Sequence, residues 1–322
     1  MKKTVFLSAL CLSLSALFFE GCKSSPEGAV IQVHPLALIS EDLSIYVNVP
    51  VQYHRELTAR LLTAEVPSIS QKDAESLASR IGNLYAGLGT VKDRSYLEMS
   101  CDAEIPGIAR KSVFSKKNGW TSSSYNAVVT AQENELPLTE NFTIYSRSDM
   151  DFDLSFAGEN ILCVSKKINP MLDRAAVRAS VPQTDYAEWI NRESRDILFY
   201  ITRSGQYLNS LLGGKVTVSS DYVYGTIAYR PNPKKPGEYS GVYDLTFCVH
   251  LKDRRMVQAF KSMLSLSFAL LDGEVKQIDE YTVQVSGAEI SAKQIEDLFT
   301  RDPITGKHYR VVGEHIITES KK

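Results

Sequence analysis

The sequence predicts an α+β fold in which a mostly antiparallel sheet is flanked by amphipathic helices. The clearest strand is Tyr96–Ile105, where apolar and polar residues alternate, as in a strand with one face in water. The clearest helices are Gln52–Val66 and Arg254–Leu271, where apolar residues recur at intervals of three and four. The segments between them are short, rich in β-branched and aromatic residues, and bounded by turn residues, which is typical of antiparallel strands.

The N-terminal part of the globular region is predicted to contain two strands and two helices. Leu43–Val49 is rich in β-branched residues and is predicted to be a strand that leads into the helix over Gln52–Val66. A second helix is predicted over Ser70–Leu88, because its apolar residues form one continuous stripe and Gly87 suits its C-terminal end. Tyr96–Ile105 follows as the second strand.

The rest of the chain is predicted to be mainly β. Strands are expected over Val113–Lys116, Tyr125–Ala131, Phe142–Arg147, Asp151–Phe156, Ile161–Lys166, Tyr222–Tyr229, Gly241–Leu251, Tyr281–Val285 and Tyr309–Ile317. Helices are expected at the start of Tyr186–Phe199, which then continues as a strand through Ile201, over Gln206–Leu212 as a short helix or turn, over Arg254–Leu271 and over Ser291–Phe299.

Two helix starts resemble each other. Ile69–Leu77 and Ile290–Leu298 share Ile, Ser, Lys, Glu and Leu at equivalent positions, and each has Ser followed three residues later by Asp or Gln, as in a capping box. The pattern favours an internal duplication, in which segments 41–110 and 240–322 form two lobes around a β-rich middle. The alternative is that helix starts converge on the same capping chemistry.

The N-terminus has the features of a secretory leader. Two lysines precede an uncharged apolar run over Val5–Phe19, which is too short for a bilayer core that needs roughly 20 apolar residues. Phe18–Cys22 resembles a bacterial lipobox, although Phe19 and Glu20 depart from its usual residues in the way that looser, spirochaete-type lipoboxes do. The resemblance implies cleavage before Cys22 and acylation of its thiol.

This interpretation divides the chain into a lipoprotein signal peptide over residues 1–21, a lipidated cysteine and tether over residues 22–40, and an α+β domain over residues 41–322. An ordinary signal peptide cut elsewhere and an uncleaved signal anchor are the alternatives.

The charge and cysteine content exclude several classes of function. With 36 basic and 38 acidic residues the chain has no basic surplus, so we expect no binding to nucleic acid. Three cysteines remain besides Cys11 and Cys22, and Cys101, Cys163 and Cys248 all lie in apolar strand-like runs. They are expected to be small buried hydrophobic residues, with one disulfide plus one free thiol as the alternative.

The sequence contains no recognisable catalytic or metal-binding motif. It has no Gly-x-Ser-x-Gly, P-loop, Gly-x-Gly-x-x-Gly or His-Glu-x-x-His, and no Cys and His residues at zinc spacing. We therefore predict no catalytic residues, no metal site and no cofactor.

The candidate contact site is the apolar helix over Arg254–Leu271. Its far end is apolar almost all round, as in helices buried in protein or lipid, and the two methionines give an adaptable surface. Core packing against the sheet is the default interpretation, and contact with an acyl chain or a membrane is the sharper one. The candidate residues are Met256, Val257, Phe260, Met263, Leu264, Phe268 and Leu271.

The strands and amphipathic helices across Leu43–Ile317, together with the lipobox-like Phe18–Cys22, resemble the lipid-anchored outer-membrane-associated proteins of treponemes. The resemblance implies an α/β/α core with an apolar cavity that holds lipid and helices that contact it. By similarity, Arg254–Leu271 would be such a helix, and the anchor would lie in the outer rather than the inner membrane.

The sequence thus predicts a membrane-anchored lipoprotein of the bacterial envelope. Its partners would be the membrane, through the N-terminal lipid, and a phospholipid, fatty acyl chain or other apolar ligand, bound through amphipathic helices or a cavity. The alternatives are an envelope scaffold or surface interaction lipoprotein without a ligand cavity, and an enzyme without a recognisable motif.

Overall fold

Twelve antiparallel strands form one continuous sheet. The computed structural model describes residues 33–65, 69–91, 94–129, 138–150, 152–202, 204–205, 208, 218–269, 272–300, 310–312 and 315–317. The strands of the sheet are, in chain order, β1 Ile45–Pro50, β2 Ile81–Val91, β3 Arg94–Ala103, β4 Trp120–Val129, β5 Leu138–Arg147, β6 Asp153–Phe156, β7 Ile161–Ser165, β8 Ile197–Ile201, β9 Ser220–Tyr229, β10 Val242–Leu251, β11 Glu274–Gln277 and β12 Thr282–Ser291. Across the sheet they follow the order β11-β12-β10-β9-β8-β1-β2-β3-β7-β6-β5-β4, so the first strand lies near the centre.

Helices cover both faces of the sheet. Within the described residues they are α1 Arg55–Glu65, α2 Gln71–Ala78, α3 Gly107–Val113, α4 Asn169–Ala176, α5 Asp185–Ile190, α6 Val257–Phe268 and α7 Ala292–Thr300. A 3-10 turn over Pro35–Leu38 packs with α4 and α5 on one face of the sheet, around the buried Tyr46. The opposite face carries α1, α2 and α7 towards the middle and α6 over β10, β11 and β12. The predicted α+β fold with a mostly antiparallel sheet is confirmed.

The two predicted capping boxes form. The Ser70 hydroxyl accepts from the Asp73 N–H at 3.1 Å, and the Ser291 hydroxyl accepts from the Gln294 N–H at 3.2 Å. At the second site the Gln294 side chain also accepts from the Ser291 N–H at 2.8 Å. The elements between the helices differ, since α1 leads directly to α2 whereas β11 and β12 separate α6 from α7. The internal duplication stays a prediction.

The single helix predicted over Ser70–Leu88 is wrong after Ala78. The chain turns there and continues as β2, which pairs with β1 on one side and β3 on the other. Both faces of β2 are covered, since Tyr85 packs in one core and Ala86 in the other. A strand buried on both faces loses its alternation, so its apolar residues also fitted a helical period.

The tether was predicted to reach residue 40, but the folded body already includes residues 33–40. Leu36, Leu38 and Ile39 are at most 2% exposed and belong to the core beneath α4 and α5. Cys22, the signal peptide and the first part of the tether lie outside the described residues.

Smaller differences concern short elements. Val113–Lys116 was predicted as a strand but ends α3 and begins a 3-10 turn. Helix α4 and strand β11 were not predicted. Near the C-terminus, β13 Arg310–Val312 and β14 His315–Ile317 form a separate hairpin. Most of Gln206–Leu212, which was predicted as a short helix or turn, lies outside the described residues. The thiols of Cys101, Cys163 and Cys248 are buried and free.

Candidate functional site

The inner face of α6 is part of the core. Val257, Phe260 and Leu264 are 1–4% exposed and pack with the apolar residues of β10 and β12. Met263 and Phe268 are partly buried against the same cluster, and the rings of Phe268 and Phe247 lie 5.5 Å apart. These five of the seven predicted contact residues therefore hold the helix on the sheet.

The outer face of α6 is exposed and has little charge. Leu266 is 80% exposed, and Met256 at the start of the helix is 47% exposed. Ala259 is exposed as well, and the sequence has no charged residue between Lys261 and Asp272. Of the predicted contact residues only Met256 projects from the body, while Leu271 lies outside the described residues. Leu266, which the sequence analysis had not included, is the most exposed large apolar residue of the described chain.

Three serines on this face have their hydroxyls satisfied within the helix. The Ser262 hydroxyl donates to the Gln258 carbonyl at 3.0 Å. Ser265 and Ser267 donate in the same way to the carbonyls four residues before them, at 2.9 and 3.0 Å. A hydroxyl that bonds to its own helix loses less on leaving water than one that depends on water, because burying an unpaired hydroxyl costs free energy. The face is therefore less polar than its serine content indicates.

Basic residues precede the helix. Arg254 lies 2.6 Å from Glu280, and Arg255 lies 2.7 Å from Asp253, with all these pairs at the surface. Hydrogen bonds from Arg255 lower the pKa of the Asp253 carboxyl to about 2, so this carboxylate stays charged across the physiological range. Lys252 is also exposed, which leaves the N-terminal entrance of α6 charged and its outer face apolar.

Two small cavities of the described part of the chain lie beside α1. One, of about 190 Å³, lies between the start of α1 and the connection from β9 to β10. The other, of about 250 Å³, is an open, polar depression beside α1 and α7. Pockets for drug-sized ligands usually measure about 300–1,000 Å³ and are mostly apolar. Neither cavity has the size or lining expected for an acyl chain, so α6 is the stronger candidate for lipid contact.

The described residues contain neither a metal-binding cluster nor a membrane-spanning helix. No three His, Cys, Asp or Glu side chains there lie close enough together to hold a metal ion. Within the same residues no helix has the length and apolar character needed to cross a membrane.

Comparison with known proteins identifies the family. The family model described as outer membrane-associated lipoprotein TP0453 matches residues 31–296. The chain belongs to this family. It is accordingly an outer membrane-associated lipoprotein of the cell envelope, and the resemblance drawn from the sequence is confirmed.

Solved structures of TP0453 share the fold. Its crystal form I has a TM-score of 0.63 at 16% identity, covering 84% of this chain and 97% of that one. Crystal form III has a TM-score of 0.60 at 17% identity, covering 83% of this chain and 98% of that one. Curated proteins gave no significant match.

Proposed function

We propose that an acyl group on Cys22 holds the protein at the outer membrane and that the outer face of α6 makes a second, direct contact with lipid. The observation that carries this proposal is the exposed Leu266 among serines whose hydroxyls are already bonded within the helix. Such a face loses few hydrogen bonds with water when it enters the boundary between headgroups and acyl chains.

The energetic case rests on adding a small contact to an anchor. One acyl chain gives only marginal membrane binding. Burying a Leu side chain contributes roughly 1.5–3 kcal/mol, so even one residue at this depth would strengthen binding tenfold or more. Arg254 and Arg255 at the entrance of α6 are paired with Glu280 and Asp253, so they add little net positive charge that could attract anionic headgroups.

The test uses a soluble form that begins at Lys23 and sedimentation with vesicles of mixed zwitterionic and anionic lipid. Leu266→Asp is expected to lower the apparent affinity for the vesicles at least about tenfold, because it places a charge where the apolar side chain was. Ile108→Asp is the matched control, since Ile108 is 75% exposed but lies on α3, and it should bind like the unmodified form. Equal loss in both variants, or equal affinity of Leu266→Asp and the unmodified form, would refute contact through α6.

The anchor is tested separately in the full chain. Cys22→Ser should move the protein from the detergent phase to water on phase partition, and the mature N-terminus should carry fatty acid by mass spectrometry. If the soluble form does not bind vesicles while the full chain stays in the detergent phase, the alternative of an envelope scaffold is favoured. Crosslinking in cells should then yield a stable partner.

A further inference from the structure

The cavity of about 190 Å³ is built mainly from aromatic rings. Tyr229 and Tyr239 are stacked, with ring centroids 5.7 Å apart and planes inclined by 13°. Tyr243 meets Tyr229 edge-on at 5.5 Å, and the Tyr239 and Tyr243 hydroxyls lie 3.1 Å apart. On the other side, Tyr53 lines the cavity from the turn before α1.

The charged groups that line this cavity are all acidic. Glu56 and Glu238 contribute carboxylates, and neither lysine nor arginine lines it. Glu238 pairs with Lys235 at 2.9 Å, whereas Glu56 makes no ion pair or side-chain hydrogen bond within the described part of the chain. Negative charge beside aromatic rings is the arrangement that attracts a cation, because the face of an aromatic ring carries negative potential.

One cation of the chain already uses this chemistry nearby. The Arg195 guanidinium carbon lies 5.5 Å from the centre of the Tyr53 ring, within the usual range of a cation–π contact. Arg195 itself does not line the cavity.

His54 supplies a buried acceptor without a partner. Its Nε2 lies 2.8 Å from the Arg195 carbonyl oxygen, which only accepts, so Nε2 carries the hydrogen. The other ring nitrogen, Nδ1, is then an acceptor, and it is buried with no hydrogen-bond partner in the described structure. His54 is 2% exposed and lines the cavity. A buried acceptor left unpaired is costly.

The hydroxyl groups of the cavity do not reverse this preference. The Tyr229 oxygen accepts from the Ser240 N–H at 3.0 Å, and the Tyr239 and Tyr243 hydroxyls engage each other. The lining thus offers acceptors and ring faces, which suit a ligand that is positive and donates hydrogen bonds, and it offers an anion little.

From these contacts we propose that the cavity formed by His54, Glu56, Tyr229, Glu238, Tyr239 and Tyr243 binds a small organic ammonium group. A free amine or the amine of a phospholipid headgroup would supply the same chemistry. The site is separate from the lipid-contacting face of α6, because the cavity adjoins Tyr243 at one end of β10 and α6 follows Leu251 at the other. Eight residues of extended strand place these ends about 26 Å apart.

The experiment measures binding of ethanolammonium chloride to the soluble form that begins at Lys23, by calorimetry and by NMR, at a fixed ionic strength set with sodium chloride. Saturable binding is expected, and tetramethylammonium, which cannot donate hydrogen bonds to the carboxylates, should bind more weakly. Glu56→Gln should weaken binding about twofold to fivefold, in line with the loss of one exposed charge partner. Glu159→Gln, at an exposed glutamate in the β6–β7 turn, is the control and should change nothing.

Tyr239→Leu should weaken ethanolammonium binding further, and Glu56→Gln keeps the proposal testable if that variant folds poorly. Absence of saturable binding by the unmodified form, or equal affinity in the Glu56→Gln variant, would overturn the proposal.

Vesicles distinguish the two sources of the amine. Binding to phosphatidylethanolamine vesicles that is reduced by Glu56→Gln and competed by free ethanolammonium assigns the site to a headgroup. Binding of the free amine with no such competition assigns it to a soluble amine. If Leu266→Asp abolishes vesicle binding but the free amine still binds, the loss concerns the contact through α6 alone. The two proposals can therefore fail independently of each other.

Discussion

His54 couples the stability of the fold to pH. Burial lowers the pKa of its imidazole below the ordinary value of 6.5, and the smaller effects of the Arg195 carbonyl and the Asp196 charge oppose this shift without reversing it. The unfolded chain therefore binds a proton at a higher pH than the folded chain. Stability contributed by neutral His54 is present above about pH 6.5 and is lost as the pH falls below that value.

We expect the urea midpoint of unfolding to fall between about pH 7 and pH 5, where an ordinary histidine titrates. In the His54→Gln variant the decrease should be smaller, because the titrating group is gone. His34, whose pKa burial also lowers despite the nearby Asp102, should account for part of the remaining slope, and His34→Gln measures that part. An identical slope in the unmodified protein and both variants would show that neither imidazole controls it.

Among the elements, β9 depends on a glycine at its centre. Gly225 pairs with Phe199 of β8 and Phe247 of β10. A methyl group at this position would lie 2.7 Å from the Phe199 ring and 2.8 Å from the Phe247 Cα, closer than real contacts allow.

Gly225→Ala is therefore expected to destabilise the protein by about 1–3 kcal/mol, the usual cost of overpacking a core. Gly107→Ala is the control, because nothing lies within 4 Å of a methyl group there. Since Gly107 is helical, the control should be neutral or stabilise by up to about 1 kcal/mol. The free energies of unfolding from urea titration test both, and a Gly225→Ala variant as stable as the control would contradict this account.

The same elements show what the sequence could predict. Alternation revealed β3 because one of its faces carries polar residues, although Glu98 and Ser100 on that face are buried and hydrogen-bonded to the segment before β1 rather than to water. Serine followed by Asp or Gln revealed the starts of α2 and α7. The alternation of apolar and polar residues is missing from β2, because both of its faces are buried in apolar cores, and β2 was therefore predicted as part of a helix. In α6 the broad apolar face predicted from the sequence is the one that packs on the sheet, and Leu266 lies outside that face. Leu266 and the cavity around His54 became apparent only once the elements were assembled.

At the scale of the whole molecule, the segment before β1 is part of the body. Arg174 of α4 donates to the Leu38 carbonyl at 2.6 and 2.8 Å and pairs with Glu98 of β3 at 2.8 Å. Glu98 is 1% exposed and also accepts from the Ser40 N–H at 2.6 Å. Charge and apolar packing together fix residues 33–40 to the sheet and α4.

A soluble form that begins at Glu41 should accordingly be several kcal/mol less stable than one that begins at Lys23. It lacks Leu36, Leu38 and Ile39, and each buried side chain of this kind contributes roughly 1.5–3 kcal/mol. It also leaves Glu98 and Arg174 without their contacts to the segment. Thermal and urea unfolding of the two forms measure the difference, and equal stability would show that the segment is dispensable.

The segment before β1 lies on one face of the sheet, and α6 lies on the other. This arrangement limits how the protein can be oriented on the membrane. Two helix layers and the sheet between them are about 30 Å thick, since a helix with its side chains is 10–12 Å across. Ten residues lie between Cys22 and Val33, so this part of the tether can extend at most about 36–40 Å. Because that reach is close to the thickness of the body, an acylated Cys22 and the Leu266 face can contact one leaflet only if the tether is extended.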